Sequence, residues 1–339
     1  MPHHQLTKFK GFWVPAGFQE LPGNPKEAQE QPYSGAVAII RRMMRLQGLS
    51  VTILGAENIP ADGGAMIAMN HTSYLDFTFG GIPAFLRGQR LVRYMCKKEI
   101  FDVPVLGGIM NAFHHIPVDR AAGRASLLAA IDRLKDGDLV GIFPEGTISR
   151  SFELKQFKTG AVRIAARAGV PLLPLVAFGS QRLWTKDHPK QLGRTKTPIM
   201  IKVGPPVDIS GHPQDASERL RATMAQMLDE LRAEYIERFG PFPEGEFWMP
   251  ASLGGGAPTP EKAESLDDKE RVRRSERREQ KRKEKERARA EKTNRTAEAA
   301  LERMTPGGQR LRTRFRTAWT SLQELTGELL DAAKRKLRK

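Results

Sequence analysis

The sequence predicts an α/β fold: a mixed central sheet flanked by helices. Three observations carry this. Short apolar runs of strand length alternate with helix-length segments. The residue types that do chemistry follow directly after those apolar runs, where open α/β sheets keep their sites. Finally, the longest apolar runs, such as 170–178, contain prolines and reach about half the length of a membrane span.

The elements follow in order. Residues 1–34 are polar and rich in proline and glycine, and read as a loose lead-in. Residues 35–49, SGAVAIIRRMMRLQG, form a short amphipathic helix carrying Arg41, Arg42 and Arg45. It is either an ordinary core helix or one that lies on a membrane surface. Strands are expected at 51–54, 65–69, 91–94, 115–118, 139–143, 172–177 and 199–203. Helices are expected at 75–85, 105–112, 124–135, 159–168 and 216–239. The main domain therefore covers 35–245. A flexible linker is expected at 246–260, around ASLGGGAPTP.

A basic tail, 261–339, completes the chain. Its first part, 261–300, is Arg, Lys, Glu and Ala with almost no large apolar residue. Such a segment cannot bury a core, so it is a solvated helix or disordered. The last part differs: Leu311, Phe315, Trp319, Leu322, Leu325 and Leu329 recur at three- and four-residue spacing. That stripe reads as an interfacial helix on anionic membrane, or as one that docks on a partner.

The 339 residues are 40% hydrophobic and 28% charged, with a net charge of +16. Residues 251–339 hold 25 Lys/Arg against 15 Asp/Glu. This surplus points to phosphate-bearing partners: anionic lipid, nucleic acid or a phosphorylated substrate. One cysteine, Cys96, excludes an internal disulfide and a thiolate metal cluster. The first thirty residues lack a continuous apolar core, so no secretory signal is expected.

The chemistry starts at NHTSYLD, residues 70–76. His71 follows a strand and Asp76 falls in the first turn of the next helix. A carboxylate there fixes the imidazole tautomer and leaves the other nitrogen free to take a proton. No G-x-S-x-G elbow is present. The missing nucleophile points to the substrate's own hydroxyl in that role, with water as acceptor the hydrolase alternative. Two further strands end in arginine-bearing segments: IPVDR with Arg120, and FPEGTISR with Glu145, Gly146, Thr147, Ser149 and Arg150. An arginine fork suits phosphate oxygens. An apolar strand, VPLLPLV at 170–176, comes last.

NHTSYLD, KEIFDVPVLGGIMNAFHHIPVDR, FPEGTISR and VPLLPLV resemble, in order and approximate spacing, the four motifs of the glycerolipid acyltransferases, most of all the bacterial 1-acylglycerol-3-phosphate acyltransferases. The resemblance covers roughly residues 45–210. It implies that His71 deprotonates an acceptor hydroxyl and Asp76 orients it. It implies that Arg120 binds the acceptor phosphate, and that Glu145, Gly146, Thr147 and Arg150 shape the acceptor pocket. Pro171 would serve acyl-donor or acyl-chain binding, and Lys158 has a less defined place. His114 and His115 depart from the usual pattern and read as structural.

The resemblance further implies that an acyl group passes from acyl-CoA or acyl carrier protein to 1-acylglycerol 3-phosphate, giving phosphatidic acid. No metal or cofactor is expected. The partners are membrane lipid and an anionic bilayer surface rather than nucleic acid, and the protein would sit peripherally on the cytoplasmic face of the membrane. Other readings are acylation of another acceptor, such as glycerol 3-phosphate, another lysophospholipid or a glycolipid, or an inert core whose tail binds membrane or nucleic acid.

Overall fold

The computed structural model describes residues 5–119 and 123–304, and the chain divides into two units, residues 1–265 and 266–339. The first unit is built on one mixed sheet. Its strands are β1 (Leu6–Phe9), β2 (Phe12–Pro15), β3 (Ser50–Leu54), β4 (Ala65–Met69), β5 (Val92–Lys97), β6 (Ile116–Val118), β7 (Leu139–Ile142), β8 (Leu172–Phe178) and β9 (Pro198–Val203). They lie in the order β1-β2-β3-β9-β8-β4-β7-β5-β6. The block β8-β4-β7-β5-β6 is parallel throughout, whereas β9 runs antiparallel to β8. Five strands therefore send their carboxyl ends to a single edge.

The helices are α1 (Tyr33–Leu46), α2 (Asp76–Gly80), α3 (Ile82–Leu86), α4 (Lys98–Phe101), α5 (Leu106–Ala112), α6 (Gly123–Lys135), α7 (Gly160–Ala168), α8 (Pro213–Phe239) and α9 (Pro260–Met304). β4, AMIAM, is buried at every position because both faces of the sheet are covered. Met66 and Ala68 join the cluster beneath α6, α7 and α8, while Ala65, Ile67 and Met69 face the side of Met44, Phe79 and Leu86. This is the two-residue alternation of a strand read out on both faces.

Several boundaries differ from the sequence expectation. The expected helix at 75–85 is two short helices meeting at Gly80-Gly81. The lead-in is not loose. It supplies the antiparallel hairpin β1–β2 at the sheet edge. Glu27 is fully buried, accepts from Arg90 Nε at 3.0 Å and from Arg90 Nη2 at 2.8 Å, and also accepts from the Leu91 backbone N–H. Arg93 is likewise buried and pairs with Glu30. Alternating patterns do not announce such charge pairs, because the partners lie more than 60 residues apart.

The expected linker at 246–260 is also packed. Trp248 and Met249 are buried, and Trp248 sits against Phe178, Tyr235 and Phe242. Large apolar side chains beside the glycine run outweigh its flexibility.

From residue 266 the second unit continues as α9. Every residue from Arg271 to Ala290 is exposed, so no packing holds that stretch of the helix. It stands on strong helix formers and on ion pairs one turn apart, such as Lys283–Glu279 at 3.0 Å. Of the two expectations for 261–300, the structure adopts the solvated helix. The apolar stripe at 311–329 lies outside the described residues.

Glu27→Ala should destabilise the first unit by about 3–5 kcal/mol, since it leaves the Arg90 guanidinium buried without a counter-charge, held only by the carbonyls of Pro60, Gly63 and Gly137. Equilibrium urea unfolding measures this, and an unchanged midpoint would refute the structural weight given to the pair.

Candidate active site

At the carboxyl end of β4 the chain leaves the sheet as Asn70-His71-Thr72-Ser73. Asn70 closes the strand by copying a ladder partner: its Nδ2 donates to Ala177 O at 3.0 Å and its Oδ1 accepts from Ala177 N at 2.8 Å. The loop then curls around the carboxylate of Asp76. Asp76 Oδ2 accepts the backbone N–H of Thr72 at 2.6 Å and of Ser73 at 2.7 Å, and faces His71 Nδ1 at 3.0 Å. Its Oδ1 accepts from the hydroxyl of Ser180 at 2.6 Å. Asp76 is 1% exposed and the His71 side chain 20%. The acid is sealed away and the imidazole remains reachable.

A carboxylate is an acceptor, so His71 Nδ1 carries the proton and Nε2 presents its lone pair. Nε2 has no hydrogen-bond partner among the described residues. The ring is stacked on Phe143, at the end of β7, with centroids 4.0 Å apart. Its orientation is thus set from two directions, by a hydrogen bond and by an aromatic face.

Glu145 does more than line a pocket. It is buried, and its two oxygens accept the backbone N–H of His71 at 2.8 Å and of Lys155 at 3.2 Å. Burial pushes its carboxyl up to about 8, against the pull of those two donors, and the Asp76 charge adds to the rise. Near neutral pH Glu145 therefore holds the loop without adding a second negative charge beside Asp76. Ser149 N donates to His71 O at 2.7 Å, which completes the grip of FPEGTISR on the loop.

Gly146 has φ +71° and lies against the Lys158 ammonium, which places that exposed lysine on the turn. Thr147 accepts from Lys186 Nζ at 2.9 Å, and Arg150 Nε pairs with Asp187 at 2.6 Å. Asp119, the last described residue before Arg120, pairs with Lys98 at 3.0 Å. Arg120 itself lies outside the described residues. It follows β6, whose carboxyl end shares the edge with β4 and β7.

The structure thus brings His71, Asp76, Glu145, Gly146, Thr147, Arg150 and Lys158 to one edge. Pro171 is not among them. It precedes β8, its carbonyl accepts from Met66 N at 2.9 Å, and Ala177 is the residue level with the histidine loop. Six residues of strand put Pro171 about 20 Å away, at the opposite end of the sheet.

Sequence reading missed the segment after β8. Gly179, at φ +104°, turns the chain so that Ser180 reaches Asp76. A side chain on Gly179 would meet the Pro198 carbonyl at 2.4 Å, so only glycine fits. Beyond it, Trp184 O accepts from Ser73 Oγ at 2.7 Å, and Thr185 Oγ1 donates to Thr72 O at 2.7 Å. The available signal was a polar run, GSQRLWTKD, directly after a fully apolar strand. His115 reads correctly as structural: it is buried, its Nδ1 accepts from Tyr94 N at 3.1 Å, and burial together with the nearby Arg93 charge lowers it to about 4.

The sequence model of the acyltransferase family matches residues 50–177, the span that contains this arrangement. A 1-acyl-sn-glycerol-3-phosphate acyltransferase of Bacillus subtilis (strain 168) is 32% identical over 199 residues, covering 58% of this chain and 94% of that protein.

The chain belongs to the glycerolipid acyltransferase family.

A 1-acyl-sn-glycerol-3-phosphate acyltransferase of Chlamydomonas reinhardtii is 33% identical over 161 residues, and the chain spans only 47% of it. The crystal structure of the 1-acyl-sn-glycerophosphate (LPA) acyltransferase PlsC from Thermotoga maritima aligns at a TM-score of 0.45 and 24% identity, over 60% of this chain and 85% of that one. In this acyltransferase the family-matched span supplies the histidine, its aspartate and the glutamate clamp. The Ser180–Thr185 segment that completes the loop lies just beyond that span.

Two outcomes test this geometry. Ser180→Ala removes a hydrogen bond to a buried carboxylate, an interaction of about 1.5–3 kcal/mol. Turnover should fall roughly tenfold or more if that bond keeps Asp76 aimed at His71. Unchanged kinetics would show that the three donors on Oδ2 suffice. For Glu145, folding raises the carboxyl from 4.5 to about 8, so the folded state keeps a proton that the unfolded chain has released. Its stabilising contribution is complete below pH 4.5 and is lost as pH rises through about 8. Urea midpoints measured across that window should decline, and Glu145→Gln should flatten the decline.

Proposed function

We propose that this acyltransferase transfers an acyl group from a thioester donor, acyl-CoA or acyl carrier protein, to the free hydroxyl of 1-acylglycerol 3-phosphate. The observation that carries the reading is the His71–Asp76 pair, with Nδ1 committed to the carboxylate and Nε2 turned outward. Nε2 takes the proton from the acceptor hydroxyl as its oxygen attacks the thioester carbonyl. Asp76 stabilises the imidazolium that forms. The C–S bond then breaks, the proton passes to the departing sulfur, and phosphatidic acid and a free thiol result. A thioester is already activated, so a positioned base suffices and no enzyme nucleophile is needed.

The acceptor's phosphate calls for cations. Arg150 and Lys158 stand on the same edge as His71, and Arg120 follows a strand that ends there. The resemblance of IPVDR to the family motif assigns the phosphate to Arg120. The names of the relatives in Bacillus and Chlamydomonas support the acceptor.

Both acceptor and product live in a bilayer. Among the described residues no helix is long and apolar enough to cross a membrane. Apolar side chains nevertheless stand in solvent. On α1, Ile39, Met43 and Leu46 are 64%, 54% and 68% exposed, beside exposed Arg42 and Arg45. Past β5, Val105 is 81% exposed and held at φ +66°, with Leu106 N closing the turn onto Pro104 O at 2.8 Å. A β-branched residue rarely adopts that conformation. Apolar groups flanked by arginine suit the boundary between headgroups and acyl chains. We place the protein peripherally on the cytoplasmic face of the membrane.

His71→Ala should abolish turnover without changing the circular dichroism spectrum. Wild-type protein given labelled acyl-CoA and a mixture of lysophosphatidic acid, glycerol 3-phosphate, other lysophospholipids and unphosphorylated glycerides should form phosphatidic acid foremost by mass spectrometry. Turnover of unphosphorylated acceptors alone would overturn the phosphate assignment, and near-normal turnover by His71→Ala would overturn the base.

A further inference from the structure

α9 carries its charges on separate sides. Successive residues turn by about 100° around a helix, so positions three and four apart share a side. Arg271, Arg274, Arg278, Lys281, Lys285 and Arg289 follow one another at spacings of three or four. Arg277, Arg282 and Lys292 widen the same side, and no acidic residue between 271 and 292 falls on it. Glu276, Glu279, Glu284, Glu286 and Glu291 all project from the other side, where Arg273, Lys283 and Arg287 offset them. Glu279 pairs there with Lys283 at 3.0 Å, and Glu286 meets Arg282 at 3.7 Å where the two sides join. One side of the helix is thus uniformly cationic for about 32 Å, and the other is close to neutral.

Helix formation alone does not require this. Ion pairs one turn apart stabilise a solvated helix wherever they are placed, and mixing the signs evenly would provide more of them. Arg271 pairs with Asp268 at 3.0 Å and Arg274 with Glu270 at the head of the stripe, yet the row still faces solvent, since every residue from Arg271 to Ala290 is exposed. Between those residues Val272 is the one large apolar side chain, so this stretch of the helix has no face to insert into acyl chains or to bury against a protein core. What it offers is a straight row of cations.

We infer that this stripe docks α9 on a membrane surface that carries anionic phosphate headgroups. The inference rests on the reading above, in which acceptor and product are bilayer lipids with exposed phosphate. The complementarity is one of charge and of shape. A planar layer of headgroups meets a straight stripe along its whole length, and flexible lysine and arginine stems at the margins reach the same plane. A nucleic acid duplex curves away beneath a straight helix, and its phosphates meet the row only where a backbone strand crosses it. Anionic product would strengthen the docking as it accumulates.

The experiment compares full-length wild type with a charge-swapped variant, Arg278→Glu/Glu279→Arg/Lys285→Glu/Glu286→Lys. The swap preserves composition and net charge but interrupts the stripe. Co-sedimentation is measured with phosphatidylcholine vesicles, with and without phosphatidic acid, at low and high salt. Wild type should prefer the anionic vesicles, and salt should erase the preference. The swap should reduce that preference at least fivefold, with unchanged helicity by circular dichroism and unchanged turnover of acceptor dispersed in neutral detergent micelles.

Equal, salt-sensitive preference in both proteins would overturn the stripe, because net charge alone would then suffice. Binding of wild type to a nucleic acid duplex more tightly than to anionic vesicles would overturn the partner. The micelle assay reports the acylation reading separately, so failure of one is distinguishable from failure of the other.

Discussion

The site depends on one buried carboxylate. Asp76 gathers an imidazole, two backbone N–H groups and a serine hydroxyl onto its two oxygens. Those donors come from the loop after β4 and the turn after β8, so one side chain joins two strand ends. Hydrogen bonds to an ionised group are the stronger kind, and burial removes competing water. The loop geometry therefore follows from satisfying Asp76. The direction in which His71 points follows from the loop.

Around this centre, charge is distributed by burial. Glu145 grips the His71 backbone from the other flank, and its raised pKa keeps it neutral where a second anion would oppose Asp76. The cations, Arg150, Lys158 and Lys186, belong to segments that leave the same edge of the sheet. Parallel strands make this possible. Because β4, β7 and β8 end together, residues more than 70 positions apart in the chain become neighbours.

The proposed lipid acceptor adds a second constraint, because an enzyme acting on it must reach a bilayer, and among the described residues no helix is long and apolar enough to cross one. The chain separates the two forces available for this. Apolar contact is offered by α1, where exposed arginines stand beside the apolar side chains, and by the exposed Val105 turn. Electrostatic attraction is offered by α9, which has almost no apolar surface and a one-sided charge. Apolar burial is short-ranged and insensitive to salt, whereas a cationic row acts over about a Debye length. The two can therefore contribute at different stages of approach.

The sequence by itself determined the α/β class, the strands that carry the site, the His71–Asp76 pair and the presence of a charged solvated tail. Each of these is local: strand and helix periods, a five-residue spacing, or a composition that cannot bury a core. Tertiary structure alone decided that Ser180 and Thr185 complete the histidine loop and that Glu145 grips its backbone. It also decided that Pro171 stands at the far end of β8, and that the lead-in and the glycine-rich segment are packed. Those outcomes depend on which strand lies beside which and in what direction, and on ion pairs and aromatic contacts between distant residues. Local periodicity carries no term for either. Strand order is set by burying both faces of one sheet at once, a condition that exists only after the chain has folded.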